Sequence, residues 1–119
     1  MSSELVQLRS FYAAPSVLML AFDDTTPIGV VGLLILPEST GEIRRLYVVD
    51  GRRTTGLGRR LVEQLIERAR ALGLTRLVLN TLPTMLHAQA LYQSLGFIEC
   101  DPYVYKPTVG VLYFERELS

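Results

Sequence analysis

Residues 52–60 read R-R-T-T-G-L-G-R-R, and the runs on either side decide how this stretch folds. Before it, residues 42–49 (EIRRLYVV) read as a strand whose first half alternates, with Glu42 and Arg44 on one side and Ile43 on the other. After it, Leu57, Leu61, Val62, Leu65, Ile66, Ala69 and Leu72 fall on one stripe at helical spacing. Arg60, Glu63, Glu67, Arg68 and Arg70 cover the opposite side, and Gly73 stands where a C-terminal cap belongs. The stretch is therefore a turn between a strand and a helix N-terminus. Unbonded backbone N–H groups at such a terminus carry about half a unit of positive charge and bind phosphate. Gly56 and Gly58 admit a ligand close to the backbone. The arginines on both sides of the turn, Arg52, Arg53, Arg59 and Arg60, can add charge-assisted bonds.

Upstream, Ser2 or Ser3 is placed to cap a short helix with Leu5, Leu8 and Tyr12 on one face, stopped by Pro15. Residues 17–22 are a strand and 23–27 a turn. Residues 28–36 (IGVVGLLIL) are apolar nearly throughout, as in a central strand buried on both faces, and 37–41 turn again. Downstream, residues 76–81 form a strand broken by Pro83, residues 85–95 a second helix capped by Gly96, and residues 97–100 the start of a strand. An irregular loop over 102–110 leads to a last strand within 109–118. The pattern predicts an α/β (α+β) fold with a mostly antiparallel start and a βαβ centre, so that a parallel pair flanks the first long helix. Ligands of such sheets sit at strand C-terminal ends, where residues 53–58 lie.

The chain of 119 residues suits one small domain. At 49% hydrophobic and 20% charged it is globular. Lys+Arg and Asp+Glu both number 12, so charge offers no case for nucleic acid or an anionic membrane as partner. The single cysteine, Cys100, excludes an internal disulfide and a cysteine-rich metal site, and fits a reducing, cytoplasmic setting. Glu4 precedes any basic residue and no long apolar h-region follows, so the start does not read as a signal peptide. The longest apolar run, residues 28–36, is far short of the ~20 residues of a spanning helix. His87, the only histidine, has no partner at ligand spacing and reads as a surface residue; no metal is expected.

The turn lacks the Lys-Ser/Thr of the Walker loop, and Leu61 stands where the dinucleotide fingerprint needs its third Gly. Arg53-Thr54-Thr55-Gly56-Leu57-Gly58 instead resembles the R/Q-x-x-G-x-G/A pyrophosphate loop of the GNAT superfamily of acetyl-CoA-dependent N-acetyltransferases. Leu91-Tyr92-Gln93-Ser94-Leu95-Gly96-Phe97 is similar to the family's L-Y-x-x-x-G-F helix ending, in the right order and about the right distance away. The resemblance implies a single GNAT-like domain over residues 1–119, with a mixed, mostly antiparallel central sheet flanked by helices. It implies acetyl-CoA as co-substrate and an amine as acceptor. By the same likeness Arg53, Thr54, Thr55, Gly56, Leu57, Gly58 and Arg59 hold the pyrophosphate. Backbone groups around Leu46, Tyr47 and Val48 receive the thioester carbonyl and pantetheine amides at a bulge, and the Tyr92 hydroxyl lies near the CoA sulfur.

Acetyl transfer to an amine needs a neutral nucleophile, stabilisation of an oxyanion, and a proton or a tolerant site for the leaving thiolate. Tyr92, with a reference pKa of ~10, is the candidate acid, or else a helix residue packing its ring on the sheet. Glu42 has the family's offset for a base acting through water, or else is a solvated strand carboxylate paired with Arg44. Tyr103, Tyr105 and Pro107 form a loop that either lines an acceptor pocket or covers the sheet end. Two features depart from the family. Met85 replaces an Asn common at the second helix start, and most of the usual N-terminal strand and two helices, which shape the acceptor site, are absent. The strand at 17–22 is then an open edge, and a homodimer that covers it or completes the acceptor site is expected. The leading reading is an N-acetyltransferase acting on a small primary amine. The alternatives are a non-catalytic acyl-CoA-binding module and an α/β interaction protein without CoA.

Overall fold

The computed structural model describes residues 6–52, 55–104 and 106–118. Its elements run β1 Val6–Ala13, β2 Ser16–Asp23, β3 Thr26–Leu36, β4 Thr40–Val48, α1 Leu57–Ala71, β5 Arg76–Thr81, α2 Leu86–Ser94, β6 Ile98–Cys100 and β7 Leu112–Glu117. One seven-stranded sheet has the order β1-β2-β3-β4-β5-β7-β6. Every neighbouring pair is antiparallel except β4 and β5, which the α1 crossover makes parallel. The mixed, mostly antiparallel sheet with a βαβ centre is thus as expected.

The N-terminal helix is not. Its proposed caps Ser2 and Ser3, and Leu5, lie outside the described residues, but the rest of that segment is β1, paired with β2 from Val6 opposite Asp23 to Ala13 opposite Ser16. The period is two rather than 3.6. Val6 and Leu8 reach the core while Gln7, Arg9 and Tyr12 are exposed, so the stripe that Leu8 and Tyr12 would form on a helix has nothing to bury against. Pro15 still punctuates the chain, but in a two-residue hairpin turn with Ala14. A further consequence is that β2 is covered, and the sheet edge is β1.

Both crossovers, β4-α1-β5 and β5-α2-β6, step across the sheet in the same direction. Right-handed connections then put both helices on one face. Leu57, Leu61, Val62, Leu65, Ile66 and Ala69 of α1 are all buried there, against Val31 and Leu33 of β3, Ile43 of β4 and Leu77 and Leu79 of β5. Each of the Leu, Val and Ile side chains contributes ~1.5–3 kcal/mol of gross burial. Gly29 allows the close approach of α1: a Cβ there would stand 2.9 Å from Leu61 Cδ1. The opposite face of the sheet carries Glu42, Val78, Asn80, Tyr113 and Glu115, which share a side through their strand pairings.

Candidate active site

Two features of β4 shape the site. Its parallel pairing with β5 is short: Thr40, Gly41 and Glu42 face Arg76, Leu77 and Val78, and there it stops. Beyond that point β5 stays paired with β7 as far as Thr81, while β4 follows β3, so the two strands splay. In addition, the β3–β4 register jumps from Gly32 opposite Arg44 to Val30 opposite Tyr47. Arg45 and Leu46 therefore share one partner position, Val31, in a bulge, and Arg45 takes a left-handed backbone with φ 57°. The bulge starts one residue before the expected Leu46, Tyr47 and Val48 and includes the first of them.

On the helix side, the splay opens into a groove of about 540 Å³. Leu46, Tyr47 and Val48 form one wall, Gly56, Gly58 and Arg59 its end, and the start of α2, from Thr84 to Ala88 with Leu91, the other wall. Gly56 caps α1 with φ 80°, a conformation available to Gly at little cost. No side chain caps this terminus and the first turn has no acidic residue, so its first N–H groups have no competing partner from a cap. Thr55 lies in the preceding turn, its hydroxyl donating to the Arg52 carbonyl at 2.6 Å. Arg59 is held across the groove end by Ser94 Oγ at 2.7 Å, with Glu63 at 3.5 Å. The Leu57 side chain is buried in the core and does not line the groove. Arg52, counted among the flanking arginines, is tied instead to Asp23. Arg53 and Thr54 lie outside the described residues. Met85, which stands where the family often has an Asn, lines the groove, and so do Leu86 and His87, which sequence reading did not anticipate for them.

Tyr92 lies in the core and lines neither cleft. Its ring meets Phe97 edge-on with centroids 5.5 Å apart, and burial pushes its hydroxyl pKa up to about 12. Its packing role is therefore present; a place at the CoA sulfur rests on the family likeness.

On the other face a second cleft, of about 510 Å³, is built around Glu42. This carboxylate is 5% exposed, so it is not solvated as its alternative reading had it, although the pairing with Arg44 in that reading is present. Arg44 Nε donates to Oε1 at 2.5 Å, and the Tyr103 hydroxyl donates to Oε2 at 2.6 Å. Tyr103 also accepts from Asn80 Nδ2 at 3.2 Å and packs edge-on against Tyr113. Burial first, and the bond to Glu42 second, raise the Tyr103 pKa far above the ordinary tyrosine range, so it remains a donor. The link between Glu42 and Tyr103 spans 61 residues. The only sequence signal for it was an aromatic residue in a loop that returns to the same sheet end. Tyr105 of that loop lies outside the described residues.

Among the described residues, no group of three or more His, Cys, Asp or Glu could hold a metal, and no helix is long and apolar enough to cross a membrane.

The model of the acetyltransferase (GNAT) family matches residues 2–97. An uncharacterized N-acetyltransferase of Schizosaccharomyces pombe is 41% identical over 78 residues, covering 66% of this chain and 48% of that protein. The chain thus spans about half the length of that relative. An IAA acetyltransferase of Azospirillum brasilense is 31% identical over 119 residues, covering 98% of this chain and 78% of that one. A Bacillus subtilis acetyltransferase structure in complex with CoA superposes with a TM-score of 0.77 at 19% identity, over 96% of this chain and 98% of that one, a likeness of fold.

Proposed function

From the premise that this chain belongs to the acetyltransferase (GNAT) family, we propose that it transfers an acetyl group from acetyl-CoA to a primary amine of a small molecule. The observation that carries this is the shared groove of the β4 bulge and the uncapped α1 terminus. In this reading the pyrophosphate rests on the N–H groups of Gly56, Leu57, Gly58 and Arg59, with Thr55, Arg53 and Thr54 beside it. The pantetheine follows Leu46, Tyr47 and Val48, which brings the thioester to the splay. That both clefts share β4, one ending at Arg45 and the other starting at Leu46, supports an acceptor arriving from the Glu42 face.

Transfer is direct in a ternary complex. The amine reaches the splay as an ammonium and loses a proton, through water, to Glu42, whose Oε1 is held by Arg44 and whose Oε2 is held by Tyr103. General-base catalysis of this kind contributes ~10²–10⁴-fold. The neutral amine attacks the thioester carbon, the nitrogen releases its surplus proton to water, and the C–S bond breaks as the tetrahedral oxyanion collapses to the amide. Tyr92 hydrogen-bonds the departing sulfur. With its hydroxyl at about 12, complete proton transfer to a thiolate whose acid has a pKa of ~8.5 is uphill by roughly 5 kcal/mol. Tyr92 therefore stabilises the thiolate as a donor, and the proton comes finally from water.

Thermal shifts with acetyl-CoA, CoA and an unrelated nucleotide test the cofactor: acetyl-CoA at 100 times its Kd stabilises by ~2.7 kcal/mol. Tyr92→Phe then separates an enzyme, whose turnover falls while CoA affinity holds, from a binding module, which shows no turnover to lose. We further propose a cytoplasmic homodimer. The exposed Phe11 and Tyr12 on β1 favour pairing of two copies along that edge, and a monomer at micromolar concentration by light scattering removes the idea.

A further inference from the structure

The chain as a whole is electrically balanced, 12 basic against 12 acidic side chains. The cleft on the Glu42 face is not. Its described lining holds three cations, Arg44, Arg45 and Lys106, and one carboxylate, Glu42. That carboxylate is already engaged on both oxygens, by Arg44 and by Tyr103. Neither Arg45 nor Lys106 has an ion-pair or hydrogen-bond partner among the described residues. Two cations without a partner among the described residues thus face a concave site whose own anion is already paired with Arg44.

Arg45 carries a second signal. It holds φ 57° at the bulge, where a side chain other than Gly costs ~1–2 kcal/mol. A glycine would make the same bulge at less strain, so the position retains a long cationic side chain against the local backbone preference. Lys106 approaches from the loop between β6 and β7, on the far side of the cleft.

We propose that the acceptor is an amine bearing an anionic group, a carboxylate or a phosphate, with Arg45 and Lys106 binding the anion while the amine faces Glu42. This rests on the acetyl-transfer reading above and names its substrate class. The arrangement serves the chemistry as well as recognition. Positive potential from Arg44, Arg45 and Lys106 lowers the pKa of the acceptor ammonium and enlarges the neutral, nucleophilic fraction. A cationic polyamine, by contrast, meets repulsion at the same place.

The test follows thiol release from acetyl-CoA with paired acceptors: β-alanine against β-alaninamide, and phosphoethanolamine against ethanolamine. The anionic member of at least one pair should have kcat/KM higher by about tenfold or more, the value of a charge-assisted bond to a bound anion. Which pair shows it distinguishes carboxylate from phosphate. The advantage should shrink with added salt. Lys106→Glu, in an exposed loop, and Arg45→Gln should each erode the anionic-to-neutral ratio by raising KM for the anionic member. Equal or inverted preference in both pairs, or ratios that neither variant changes, overturn the proposal. Acetyl-CoA raising the melting temperature while no anionic amine promotes thiol release overturns it and leaves the cofactor reading standing. No response to acetyl-CoA refutes that reading, and the proposal with it.

Discussion

Replacing Tyr92 by Phe should flatten the alkaline limb of the stability curve. The Tyr92 hydroxyl titrates at about 12 in the folded chain, raised by burial, and near ~10 when unfolded. A folded-state pKa above the unfolded one contributes stability that is complete below about pH 10 and is lost as pH rises toward 12. In that window the unfolded chain has released the proton and the native chain still holds it, so the unfolding free energy falls by ~1.4 kcal/mol per pH unit, to a total of ~2.7 kcal/mol. The phenyl ring keeps the edge-on contact with Phe97, so the variant should match the wild type within about 1 kcal/mol near neutrality. Urea unfolding from about pH 8 to pH 11.5, with midpoints compared at constant slope, reads the effect directly. The other tyrosines titrate in both proteins and cancel in the difference. Parallel loss of stability in variant and wild type across this range would refute the reasoning, because the Tyr92 hydroxyl would then be hydrated and the desolvation argument void. The same variant should lower kcat with little change in KM for acetyl-CoA.

Tyr103→Phe removes the donor to Glu42 while keeping the ring against Tyr113. A hydrogen bond to a charged group is worth ~1.5–3 kcal/mol; Tyr103 is half-buried, so about 1–2 kcal/mol should be lost, read as a melting temperature lower by several degrees. Gly58→Asp should act in opposite senses on two readouts. An acid in the first turn of α1 stabilises the helix by ~0.3–1 kcal/mol, yet it places negative charge where the proposed reading seats the pyrophosphate, so calorimetric affinity for CoA should collapse. Gly29→Ala should cost ~1–3 kcal/mol by overpacking, since its Cβ would stand 2.9 Å from Leu61 and 3.4 Å from Leu57; unchanged urea midpoints would mean that α1 lifts off the sheet without penalty.

What was legible in the chain was local. The amphipathic stripe from Leu57 to Ala69, the glycines after each helix and the unbroken apolar run of β3 specify elements through periods of 3.6 and two. The N-terminal segment was misread because eight residues with only Val6 and Leu8 facing the core satisfy either period weakly. Pairing with β2, a tertiary event, decided for the strand.

The two loops of the site show the same division. The glycines of the turn at residues 56–58 are visible as letters, because left-handed backbone and close approach depend on the residue itself. The bulge at Arg45 is not, since register is a relation between β3 and β4 and this position takes a left-handed turn without glycine. Glu42 could be singled out by its offset from Gly56 and its pairing with Arg44 could be weighed from their spacing, but its burial and its bond to Tyr103 could not. By itself the sequence determined which segments are helix and strand from residue 17 onward and that a glycine-containing turn joins β4 to α1, because propensity, capping and periodicity act over a few residues. Only the tertiary structure decided where β4 parts from β5, which side chains meet in the resulting clefts, and that one cleft is cationic. Those depend on contacts between residues up to 61 positions apart, whose loop closure no local pattern encodes.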